Sequence, residues 1–124
     1  MTTKDPLTEK IIGAAIEVHR HLGPGLLESA YEECLAQELT TQGIAFARQV
    51  PVPVTYKGRT VEPGFRADMV VENAVLLELK AVEALAPIHE AQVLTYLKLG
   101  GYKTGLLMNF NAAPLVKGIK RFVV

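Results

Sequence analysis

The stretch Phe65-Arg66-Ala67-Asp68-Met69-Val70-Val71-Glu72-Asn73-Ala74-Val75-Leu76-Leu77-Glu78-Leu79-Lys80 decides how the chain is read, because charged side chains interrupt two otherwise apolar runs. The runs predict strands over roughly Phe65–Val71 and Val75–Lys80, separated by the turn-like Glu72-Asn73-Ala74, and their apolar content points to a covered sheet centre. With a side-chain period of two, Glu78 and Lys80 share one face while Leu77 and Leu79 take the other. Register then decides the chemistry. A three-residue loop at Glu72-Asn73-Ala74 pairs Val71 with Val75 and sets Asp68 opposite Glu78, whereas a two-residue turn puts the carboxylates on opposite faces.

Two like charges across a strand pair repel unless a cation or a proton compensates. A hard divalent cation would do so. Magnesium prefers oxygen ligands and retains water, so Asp68, Glu78 and the backbone carbonyl of Leu79 are candidate metal ligands, with positions left for a phosphate oxygen and a nucleophilic water. Lys80, on the same face, is the candidate to position that water and to stabilise charge on the phosphate. The plain alternative is an ion pair of Lys80 with Glu78 or Asp68, the commoner fate of an isolated acid-x-lysine tripeptide.

Working outward, an apolar helical stripe of Ile11, Ile12, Ala15, Ile16, Val18 and Leu22 predicts a first helix capped by Asp5, opened by Pro6 and stopped by Gly23-Pro24-Gly25. Leu27, Tyr31, Cys34, Leu35 and Leu39 predict a second, ended at Gly43 in a left-handed conformation. Alternation from Phe46 puts Val50, Val52, Val54 and Tyr56 on one face, with a hairpin turn at Lys57-Gly58 before Thr60 and Val61; Pro51 and Pro53 suggest an edge strand. A third helix from about Pro87 to Leu99, broken by Gly100-Gly101, precedes closing strands over Thr104–Phe110 and Ile119–Val124. The expected order is ααββββαββ, in one domain spanning residues 1–124.

Composition narrows the function classes. With 49% apolar and 21% charged residues in 124, the chain has the balance of a globular domain rather than a disordered or fibrous one. Lys plus Arg (13) equals Asp plus Glu (13), so a polyanion must be held locally and not by a global field. The longest run without charge, Thr104–Val116, is too short to span a bilayer, which needs roughly 18–20 residues. The polar opening Met1-Thr2-Thr3-Lys4-Asp5 is unlike a secretory signal, and the expected location is cytoplasmic. The single cysteine, Cys34, is read as a small buried apolar residue. No phosphate-binding Gly-rich loop with a following lysine, no HExxH pair and no nucleophile elbow occurs, leaving P-loop, zinc-peptidase and serine-hydrolase readings without support.

The acid ten positions before Glu78, the strand around Glu78-Leu79-Lys80 and the later Gln92-Val93-Leu94-Thr95-Tyr96 together resemble the PD-(D/E)XK nuclease superfamily, with the QxxxY element of its RecB-type members. Ala67 stands where the proline of the motif's name would be. Gly25-Leu26-Leu27-Glu28-Ser29-Ala30-Tyr31, preceded by Ile12-Gly13-Ala14-Ala15-Ile16-Glu17-Val18-His19 and Leu22-Gly23-Pro24, looks like the signature of the GxxExxY family within it. The likeness covers about residues 7–124 and includes Gly105-Leu106-Leu107-Met108-Asn109-Phe110 and Gly118-Ile119-Lys120-Arg121-Phe122.

This resemblance implies a restriction-endonuclease-like α/β fold, a mixed sheet flanked by helices with the first two on one side. It implies a magnesium-dependent nuclease, manganese being an alternative ion, acting on nucleic acid with DNA favoured over RNA. Asp68, Glu78 and Lys80 are its expected catalytic core, Gln92 orients the water or a metal ligand, and Tyr96 contacts phosphate or supports Lys80. Glu28 is a further candidate ligand, although a glutamate in a first helical turn is also favoured by the exposed amides alone. Tyr31 is expected to pack with its hydroxyl bonded. His19, His89 and the basic residues Lys98, Lys103, Lys117, Lys120 and Arg121 are weaker candidates for substrate contact. Two-fold pairing of copies is the candidate assembly. The rival reading is a non-catalytic nucleic-acid- or protein-binding module retaining the fold.

Overall fold

The structure is a computed structural model and describes residues 5–124, apart from the side chain of Pro63. The reading of the opening residues 1–4 lies outside the described residues. Helix α1 (Pro6–Leu22) starts where Asp5 accepts hydrogen bonds from the Leu7 N–H at 3.2 Å and the Thr8 hydroxyl at 2.7 Å. The first of these satisfies an amide that the opening turn cannot pair internally, and the second fixes the capping carboxylate. Ile11, Ala14, Ala15 and Val18 form its buried stripe. Ile16 and Leu22 fall off that stripe and are exposed.

Helix α2 (Glu28–Thr41) follows the Gly23-Pro24-Gly25 break and buries Tyr31, Leu35, Ala36 and Leu39. Leu27 precedes the first turn rather than joining the apolar face, and it is 77% exposed. Cys34 is half-buried at the border of the core rather than inside it. Gly43 has a positive φ of 71°, as a chain reversal after α2 requires.

Strands β1 (Phe46–Tyr56), β2 (Arg59–Val71), β3 (Val75–Lys80), β4 (Thr104–Asn109) and β5 (Ile119–Val123) form one sheet in spatial order 1-2-3-4-5. All neighbouring pairs are antiparallel except β3 and β4, which are parallel and joined through helix α3 (Pro87–Gly100). The proline-bearing β1 is an edge strand, where missing N–H donors cost no ladder bond. The expected order needs one correction. Thr60-Val61 and Phe65–Val71 are a single strand, so three strands, not four, precede α3. The β1–β2 register shifts between Val52 and Val54, which absorbs the extra residues of β2 without ending it.

Two cores enclose the sheet. Met69, Val71, Val75, Leu77, Leu79, Leu106 and Met108 pack with α1 and α2. On the other face Ala67, Val70, Leu76 and Leu107 pack with Val93 and Leu97 of α3. The sheet is thus mixed and flanked by helices, with the two N-terminal helices on one side as expected.

Candidate active site

The β2–β3 turn takes the three-residue form. Glu72 and Asn73 adopt φ of 52° and 55°, and Val71 pairs with Val75, Val70 with Leu76 and Met69 with Leu77. The ladder stops there, one step short of Asp68 and Glu78. On the outer side of β2 the β1 ladder is interrupted at the same level, between Arg48↔Met69 and Val50↔Ala67, where Gln49 has φ 48°. Asp68 therefore sits where β2 has lost regular partners on both edges.

Side chains replace the missing ladder. The Leu79 N–H donates to Asp68 Oδ2 at 2.8 Å, and the Asp68 N–H donates to Glu78 Oε1 at 3.3 Å. Each carboxylate thus has one oxygen held by backbone. Among the described residues Asp68 Oδ1 and Glu78 Oε2 accept no hydrogen bond, and no fully buried side-chain oxygen lacks a partner, so both free oxygens reach open space. The N–H and C=O of an extended residue point to the same edge, so the Leu79 carbonyl also faces the gap between β2 and β3.

The electrostatics follow from that placement. Glu78 is only 5% exposed, and burial, followed by the neighbouring Asp68 charge, pushes its carboxyl up to about 7. The Asp68 N–H and Lys80 oppose this without cancelling it. Burial also raises Asp68, against the pull of the Leu79 N–H. Lys80 is half-buried on the same face, and none of the ion pairs among the described residues joins it to Asp68 or Glu78. The ion-pair alternative is therefore absent from this geometry. The backbone of Lys80 is pinned from β4: its carbonyl accepts from the Phe110 N–H at 2.8 Å. The Asn109 side chain bonds both the N–H and the carbonyl of Val82, fixing the turn that leaves β3.

Tyr96 comes to the site from α3. Burial raises its hydroxyl pKa, and the charges of Glu78 and Asp68 add to that. Its ring stacks on Phe65 with centroids 4.0 Å apart, so an aromatic pair borders the carboxylates. Gln92 lies on α3 one turn earlier and is half-buried. Glu28, at the first position of α2, is exposed, and its charge raises both Asp68 and Glu78. It does not close a three-acid cluster: among the described residues no three His, Cys, Asp or Glu side chains are grouped to hold a metal.

Four of the remaining candidates, Tyr31, His19, His89 and Lys120, have structural partners. Tyr31 is fully buried, stacks on Phe110 at 4.5 Å, donates its hydroxyl proton to the Gly23 carbonyl and accepts from the Leu26 N–H. His19 Nε2 lies 3.0 Å from the Phe110 carbonyl. His89 Nδ1 accepts from the Ala86 N–H and so caps α3. Lys120 pairs with Glu90 at 2.6 Å. Sequence reasoning passed over Glu32, a buried acid that accepts from Arg48 Nε at 2.9 Å and Gln49 Nε2 at 2.8 Å and raises Asp68 by its charge. The sequence carries only part of its signal: an acid one turn after Glu28, beside Tyr31 and Leu35 on the face α2 buries, with its partners Arg48 and Gln49 on a separate strand.

A mixed sheet between helices, opened at its centre by a carboxylate pair with a lysine beside it, defines an α/β domain of the restriction-endonuclease-like kind. The family model described as the PD-(D/E)XK nuclease superfamily matches residues 5–122, and the chain belongs to that superfamily. No curated protein gives a significant match. Among solved structures, the crystal structure of SSO0001 is 16% identical, with a TM-score of 0.44, over 98% of this chain and 79% of that one, a likeness too slight to add to the functional reading.

The donor set suits a hard divalent ion. Two carboxylates, each with a free oxygen, and a backbone carbonyl match the one or two acids magnesium usually takes from protein while keeping water in its remaining positions. Among the described residues no helix is long and apolar enough to cross a membrane.

Proposed function

We propose that the protein is a divalent-metal-dependent nuclease of the GxxExxY family that hydrolyses phosphodiester bonds of nucleic acid, DNA before RNA, with magnesium as the resident ion and manganese able to replace it. The supporting observation is the gap between β2 and β3, where Asp68 and Glu78 converge and neither has a lysine or arginine ion-pair partner among the described residues. Asp68, Glu78 and the Leu79 carbonyl would hold the ion, which supplies positive charge for the scissile phosphate and generates the nucleophile near neutral pH.

The rest falls to the chain's own groups. Lys80, beside the two acids on the same face, stabilises the negative charge that grows on the phosphate. Tyr96, held flat against Phe65, offers its hydroxyl to a phosphate oxygen. Gln92 orients the attacking water from the same helix, and Glu28 adds long-range negative charge that favours cation entry. Superfamily membership supports a nucleic-acid substrate. A mixed panel of single-stranded and duplex DNA and RNA should be cut by the wild type with magnesium or manganese and not with chelator. Asp68→Ala, Glu78→Ala and Lys80→Ala should each lower the rate at least 100-fold, and unchanged cleavage by all three contradicts the assignment.

A further inference from the structure

The β1–β2 hairpin extends beyond both cores: from residue 53 to 66 no described side chain is buried, while Val52 just before it is. Residues directly paired across a ladder share a face, and the extra β2 residues between the pairs Val52↔Phe65 and Val54↔Val61 leave that face unchanged. Phe65, Val61 and Arg59 therefore lie with Val54 and Tyr56 on the α3 side, the side that carries Glu78 and Lys80. Phe65 shows this directly by stacking on Tyr96.

This face leads from the carboxylates to a distinctive tip. Tyr56 is 63% exposed and Val61 54%, with no core to cover either. Lys57 Nζ stands 5.4 Å over the Tyr56 ring, and Arg59 is Tyr56's ladder partner. Neither cation joins any ion pair among the described residues, and no acid lies on this face between Arg59 and Asp68; Glu62 is on the other face, beside Pro51, Pro53 and Arg66. In a chain of zero net charge, two uncompensated cations framing an exposed aromatic match a polyanion with accessible bases: cations take phosphates and the ring stacks a base. A duplex keeps its bases stacked inside, so the ring favours a single strand.

Resting on the hydrolytic reading for its orientation, we propose that the hairpin tip formed by Tyr56, Lys57 and Arg59 is a landing surface for single-stranded nucleic acid. It holds the strand up to about 30 Å along β2 from the carboxylates. Binding is measured by fluorescence anisotropy of a labelled 20-nucleotide oligothymidylate in chelator, so that cleavage plays no part. The double variant Lys57→Ala/Arg59→Ala should bind at least fivefold more weakly, with a salt dependence shallower by about 1.4 in slope for two lost phosphate contacts. Tyr56→Ala should bind about fivefold or more weakly at unchanged slope. Both proteins should retain the wild-type magnesium titration, since the carboxylates are untouched.

A wild type that ignores the strand, or binding curves that superpose for wild type and double variant, overturn the proposal. A Tyr56→Ala protein as tight as wild type, or a blunt duplex bound as well as the strand, overturns the single-strand assignment. Dissociation of a wild-type dimer by these substitutions, seen in sedimentation without loss of strand binding, would make the tip a self-association surface instead. If the binding pattern holds while no nucleic acid is ever cut, the hydrolytic reading fails and the landing surface stands.

Discussion

Glu78 has one oxygen engaged by a backbone amide and the other open to a gap, with a second carboxylate opposite and little water around it. Its carboxyl, at about 7 against an ordinary 4.5, keeps a proton in the folded protein that the unfolded chain has already released. Stability of the metal-free protein is therefore fully present below about 4.5 and falls as pH rises through about 7, by about 3 kcal/mol at most. Asp68, also raised, acts in the same direction. Thermal melts in chelator should show this decline. Glu78→Gln, neutral at every pH, should flatten it and melt above wild type at pH 8. Tyr31 shows the opposite case of a residue whose groups are all satisfied: Tyr31→Phe keeps the stack on Phe110 but loses the bonds to Gly23 and Leu26. It should cost about 1–2 kcal/mol in urea denaturation.

At the scale of elements, α2 is latched to β1 at the level of the split in the sheet. Glu32 takes both Arg48 and Gln49, and Gln49 is the residue whose left-handed backbone interrupts the ladder beside Asp68. Glu32→Ala should lower stability by about 1–3 kcal/mol in chemical denaturation, because Gln49 loses its partner and Arg48 keeps only the exposed Glu33. Gly64 is required by close approach: a Cβ there would lie 2.0 Å from Val54 Cγ2. Gly64→Ala should cost about 1–3 kcal/mol by the same measurement. The same elements show what could be read in advance. Asp5, Pro6 and the Gly23 stop announce α1 through capping chemistry, and Glu72-Asn73-Ala74 announces the turn through Asn73, a residue type that tolerates left-handed backbone. The run of β2 through residues 62–64 was not legible, since continuity there depends on a register shift and a close contact with Val54 that local propensity does not encode. Glu32 was missed for a related reason: an acid on a helix reads as solvated until the partner strand is known.

Across the whole molecule, α1 and α2 cover one face of the sheet, while the other carries α3, the carboxylate pair, Lys80 and the basic hairpin tip. Net neutrality thus conceals a face suited to phosphate beside a centre suited to a cation. The legible part of the candidate site was its pair of strands, because Asp68 and Glu78 needed only the hairpin register. The aromatic border formed by Phe65 and Tyr96 depends on how α3 docks, which spacing within α3 cannot supply. A divalent ion that relieves the repulsion at the centre should stabilise the folded protein, by about 2.7 kcal/mol at a hundredfold excess over its dissociation constant. The most direct test is isothermal titration of magnesium, with manganese in parallel, into wild type, Asp68→Asn and Glu78→Gln at pH 8. The account predicts a saturable site in wild type that is lost or at least tenfold weaker in both variants; equal binding by all three, or none by wild type, contradicts it.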